Sequence, residues 1–106
     1  MADRARIKAL EDRTKKFAID VLQVVRRVRR QPELWSACDQ LSDAAGSVGA
    51  NHRAVGRSRS TKEFAAKLQI VCEESDESAH WLSQLKITNR DAQAQQLIDA
   101  LSRQSA

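Results

Sequence analysis

Apolar side chains recur at alternating steps of three and four along nearly the whole chain, and only three short breaks interrupt them. That spacing puts them on one face of a helix of 3.6 residues per turn and fits no strand, whose side chains alternate with period two. The first stripe is Ile7, Leu10, Thr14, Phe17, Val21, Val24 or Val25, and Val28. Pro32 ends it, because the residue before a proline is pushed out of the helical region, and Pro32 itself suits the first turn of the next helix. The second stripe is Leu34 or Trp35, Cys38, Leu41, Ala45, Val48, His52 and Val55. Gly56-Arg57-Ser58-Arg59-Ser60 is the clearest break. Ser60 with Glu63 three residues later forms the S-x-x-E pattern that starts a third helix. Its stripe is Phe64, Leu68, Val71, Ser75, Ser78, Leu82 and Leu85. Thr88 or Asn89 is expected to cap a shorter fourth helix with Asp91 in its first turn and Leu97, Ile98 and Leu101 facing inward.

The predicted helices span about residues 4–30, 33–55, 61–86 and 89–103. Joints this short fold neighbouring helices back on one another, so the expected architecture is an all-α, antiparallel up-down-up-down four-helix bundle. At 106 residues the chain has the length of one domain, and three Gly and one Pro are too few for the turns of an all-β fold. No apolar run reaches the ~20 residues of a membrane-spanning helix. The start, Met1-Ala2-Asp3-Arg4, lacks the apolar stretch of an export signal, so a cytoplasmic protein with both cysteines, Cys38 and Cys72, free and buried is expected.

Two features are not absorbed by four stripes. Gly46 and Gly49 sit in the middle of the second helix, where each costs about 1 kcal/mol relative to Ala; close approach of a neighbouring backbone would explain them. No phosphate-loop pattern accompanies them. Ile70 and Trp81 point within about 20° of each other, off the third stripe, and Ile19 and Leu22 fall off the first, flanked by Lys15 and Arg26. Such second apolar pairs predict a homo-oligomer interface formed by Ile19, Leu22, Ile70 and Trp81.

Eighteen basic residues face fourteen acidic ones, and the excess lies in residues 1–32, which hold ten basic and four acidic side chains. Arg26, Arg27, Arg29, Arg30, Arg53, Arg57 and Arg59 are therefore candidate phosphate contacts for RNA or DNA. Glu73, Glu74, Asp76 and Glu77 form an acidic cluster expected to pair with Arg26–Arg30, within one chain or between chains. Glu77 and His80, with Glu73 nearby, make a single Glu-x-x-His, whereas di-iron bundles use two, so a carboxylate–histidine metalloprotein is the weaker alternative. His52 reads as a buried histidine with a local hydrogen-bond partner. No Ser/His/Asp or Cys/His set can be placed within reach, so no catalytic residue, metal ligand or cofactor is expected and the chain reads as non-enzymatic.

Ser47-Val48-Gly49-Ala50-Asn51, followed by Arg57-Ser58-Arg59-Ser60-Thr61-Lys62-Glu63-Phe64, resembles the signature of four-helix-bundle proteins encoded in intervening sequences of large-subunit ribosomal RNA genes. Leu68, Ile70 and the Glu-rich turn into Trp81-Leu82 continue the resemblance, and Phe17-Ala18 and Pro32 fit the family's first helix and joint. It covers about residues 15–86. A family proline is Gly49 here, and the usual Ala-Glu-Gly after the Asn is replaced by Arg53-Ala54-Val55. The resemblance implies a small cytosolic bacterial homopentamer without assigned enzyme activity. A relative, the accessory protein of diversity-generating retroelements, is a basic pentameric barrel that engages nucleic acid and a reverse transcriptase. The function expected is thus an oligomeric scaffold with a basic surface for nucleic acid; the alternative is a purely structural, protein-interacting assembly.

Overall fold

The structure, a computed structural model, describes residues 4–105. Four helices follow one another: α1 (Arg4–Val28), α2 (Trp35–Val55), α3 (Thr61–Thr88) and α4 (Ala92–Ser105), with a short 3-10 turn, Pro32–Leu34, leading into α2. No strand occurs among the described residues. α1 packs on α2 and α4, and α3 packs on the same two, so α1 and α3 occupy opposite corners. The principal extents are 46 × 22 × 18 Å.

The stripes become the core where all four helices meet. Val21, Val24, Val25 and Val28 of α1 are buried against Cys38, Leu41 and Ala45 of α2, Leu82 and Leu85 of α3, and Ala94, Ile98 and Leu101 of α4. Leu34, rather than Trp35, joins them, because the 3-10 turn rotates Leu34 inward. Trp35 stays exposed, and its indole N–H donates to the Arg29 carbonyl at 2.7 Å. Ser78 is buried at a stripe position with its hydroxyl donating to the Glu74 carbonyl (2.9 Å), which removes the cost of an unpaired polar group.

The other end of the molecule is thinner. A second, smaller cluster holds only Val48, Val55 and Val71, with Phe64 packed against it. Ile7, Thr14 and Phe17 of the first stripe are half-buried, while Leu10 is 40% and Leu68 38% exposed. The reason is the length of α4. At about 1.5 Å per residue its fourteen residues span about half the length of α3's twenty-eight. Among the described residues, no fourth helix covers the stripe positions beyond its reach.

The predicted start of α4 is displaced. α3 runs on to Thr88, Asn89 is its C-cap, and the cap of α4 is Asp91, whose Oδ1 accepts from the N–H groups of Gln93 (2.9 Å) and Ala94 (3.1 Å). Asn89 instead ties the joint together: its Oδ1 accepts from Gln31 Nε2 (2.8 Å) and from the Asp91 N–H (3.1 Å). Ser60 caps α3 as expected, accepting from the Glu63 N–H at 3.0 Å, while the Glu63 carboxylate accepts from Lys67 Nζ at 2.8 Å.

The glycines of α2 do not mark a close backbone approach. A Cβ at Gly46 would meet nothing within 4 Å, and one at Gly49 only the Thr14 carbonyl at 3.9 Å, an ordinary contact. Cys38 is buried as expected and burial pushes its thiol pKa up, but Cys72 lies one position off the stripe and is exposed; both are free. His52 is buried, yet its Nδ1 has no hydrogen-bond partner among the described residues, contrary to the expected local partner.

Candidate functional site

The helical repeat separates the side chains left outside the core into two unlike faces. On α1, Ile19 (50% exposed) and Leu22 (54%) lie on the outer side with Lys15 and Arg26, and Arg30 follows in the turn after the helix, all of them exposed. On α3, Ile70 (41% exposed) sits among exposed Glu73 and Glu77. The two faces are at opposite corners, so one chain does not bring them together. Trp81 departs from its pair. It is half-buried against the main core, its ring edge-on to His80 at 4.9 Å, and its Nε1 is enclosed without a hydrogen-bond partner among the described residues. Indole is large enough to reach the core from a position off the stripe, which spacing alone cannot reveal.

The seven arginines divide by whether a carboxylate reaches them. Arg27 Nε holds Asp91 Oδ2 at 2.8 Å, and Arg29 Nη2 holds Asp39 Oδ1 at 2.8 Å. Arg59 Nε stands 3.9 Å from the Glu63 carboxylate. Arg26, Arg30, Arg53 and Arg57 form no ion pair with any described residue and are exposed. The acidic cluster is equally unmatched. Glu73 accepts from Gln69 at 3.3 Å, but none of Glu73, Glu74, Asp76 or Glu77 pairs with a cation among the described residues. The expected pairing between these clusters is thus not made within the chain.

Shifted carboxyls mark the contacts that are made. Acceptance from the Ala94 N–H, with Arg27 and the Gln93 N–H adding, holds Asp91 below the usual aspartate range. Lys67 does the same for Glu63, and Lys16 followed by Gln104 for Asp20. These are structural contacts at helix ends, within α1 and between helices, and spacing did not indicate Asp91 or Gln31 as tie points. The signal for Asp91 was nevertheless present: an aspartate followed by Gln93 and Ala94 fits a cap as well as a first-turn residue.

Glu77 and His80 are exposed, and no group of three or more His, Cys, Asp or Glu side chains converges among the described residues in a way that would hold a metal ion. No described helix is long and apolar enough to cross a membrane.

No family model matches the sequence, and no curated protein matches it. Among solved structures the fold is similar to that of a protein of unknown function from the S23 ribosomal protein family of Bacteroides thetaiotaomicron, with a TM-score of 0.79 and 22% identity over 90% of this chain and 86% of that one. At that identity the likeness shows a shared four-helix fold.

Proposed function

We propose that this chain is a non-enzymatic scaffold of the intervening-sequence type whose helices run alternately up and down and whose copies assemble α1 face to α3 face. The observation that carries the reading is the pair of unlike, unmatched faces: Ile19 and Leu22 framed by Lys15, Arg26 and Arg30, and Ile70 framed by Glu73 and Glu77. Each offers what the other lacks, an apolar centre with a rim of opposite sign. A contact between two different patches is heterologous, and successive copies joined that way close into a ring when the rotation allows. Five copies in a cytoplasmic ring is the number and setting that the family resemblance implies. The alternation of helix directions is supported by the joints: Gln31, after α1, meets Asn89, after α3, whereas Gly56, after α2, lies beside Ile7 near the start of α1.

Light scattering tests the assembly. Ile19→Asp with Leu22→Asp is expected to reduce the protein to a monomer. Arg26→Glu with Arg30→Glu should do the same, and adding Glu73→Lys with Glu77→Lys should restore the native mass. A native protein that is monomeric at tens of micromolar, or an assembly indifferent to all these changes, refutes the proposal.

Nucleic-acid binding is a second reading, supported by Arg53 and Arg57, which are exposed, form no ion pair with any described residue and lie outside both faces. Binding to a generic RNA duplex should fall log-linearly with salt, and Arg53→Glu with Arg57→Glu should flatten that slope by about two contacts. No binding at low salt rejects it.

A further inference from the structure

We infer that the cleft beyond the end of α4 is a docking groove for an acidic amphipathic helix of a partner protein. α4 lies along α1 only from Arg27, which holds Asp91, to Asp20, which accepts from Gln104 at 3.1 Å. Past that point α1 and α3 continue without it. Between them opens a cleft of about 470 Å³, walled by Leu10 and Phe17 of α1 and Ser75 of α3, floored by Val48 of α2, and closed at one end by Gln104. Leu68, seven residues before Ser75 and 38% exposed, extends the same wall by two turns. The stretch of α3 from residue 61 to 75 is about 22 Å long at 1.5 Å per residue, enough for about four turns of helix. The cleft continues the track of α4, which itself rests on α1 and α3.

Charge selects the occupant. On the α3 rim, Thr61, Ala65, Leu68, Cys72 and Ser75 recur at steps of four and three, and none is charged. On the α1 rim, Arg6 and Arg13 lie two turns apart on one face; both are exposed, and neither forms an ion pair with a described residue. Lys16, also on the cleft, is held by Asp20 at 2.6 Å. A helix with an apolar stripe and carboxylates along one flank meets both rims, whereas a basic flank would face two unneutralised guanidinium groups. The groove shares no residue with the faces proposed for self-assembly, so the two ideas fail separately.

The test uses the whole chain and two labelled synthetic helical peptides of about 14 residues, with the same leucine stripe and either glutamates or lysines on one flank, followed by fluorescence anisotropy. The glutamate peptide should bind at least tenfold more tightly than the lysine peptide. Arg13→Glu should reverse that order, and Leu68→Asp should abolish binding of both; Leu68 is exposed enough that circular dichroism should show the fold intact. Ile19→Asp and Arg26→Glu should leave peptide binding unchanged. Equal binding of both peptides, no binding of either, or glutamate-peptide binding that ignores Arg13→Glu and Leu68→Asp overturns the inference. A change in the mass of the protein on Leu68→Asp also overturns it, by assigning the groove to a second copy.

Discussion

Asp91 caps α4 and binds Arg27 across the bundle with one carboxylate, while its backbone C=O and N–H bond Asn89 in the joint that Asn89 and Gln31 hold together. Its pKa lies below the ordinary value of 3.8 because the Ala94 N–H and Arg27 favour the charged form. A carboxyl depressed in the folded state contributes stability above its unfolded pKa and loses it as pH falls through the folded one. Asp91→Asn keeps the cap's shape and removes the charge. Urea midpoints should therefore be lower for the variant at pH 7, and the gap to the native protein should close as pH drops below 3.8. Gly46 presents the opposite case. It sits inside a helix with open space where a Cβ would go, so Gly46→Ala should raise stability by about 0.5–1 kcal/mol, read from the same midpoints. A loss of stability there would mean that something outside this chain approaches the α2 backbone.

At the scale of the elements, the length of α4 governs the rest. Where it is present, side chains from four helices enclose Ile98 and Leu85 completely. Where it is absent, the first and third stripes stay partly wet although their spacing is unbroken. Ile98→Ala should accordingly cost about 2–5 kcal/mol, whereas Leu10→Ala, 40% exposed, should cost well under half as much. Thermal unfolding of the two variants side by side checks the ratio. Amide hydrogen exchange should follow the same division, with α1 before Phe17 and α3 before Val71 exchanging sooner than the ends bound by α4, since few buried contacts oppose local opening there.

At the scale of the whole molecule, charge is left unbalanced in space even where the count is nearly balanced. Basic residues without carboxylate partners gather on the outer side of α1 and acidic ones on α3, at opposite corners. Self-assembly driven by those faces should weaken as salt rises, because exposed pairs are screened over a Debye length of about 8 Å at physiological ionic strength. Mass by light scattering from 50 mM to 1 M salt measures this, and an assembly of constant mass would place its strength in apolar contact alone.

The order of four helices, the breaks at Pro32 and Gly56, and the Ser60 cap were legible in the residues because each depends on neighbours within four positions. Cys38, Leu41, Val48, Leu82 and Leu85 were legible as core for the same reason: period and apolarity choose a face. Distance in the chain hid the rest. Whether Leu10 and Leu68 are covered depends on where α4 stops against α1. Whether Arg27 is a free cation depends on Asp91, 64 positions away, and whether Trp81 faces outward depends on a core built largely by other helices, against which it packs. Local spacing decides which residues share a side of a helix; only packed helices decide what that side meets, because burial and ion pairing are properties of pairs of surfaces and not of one.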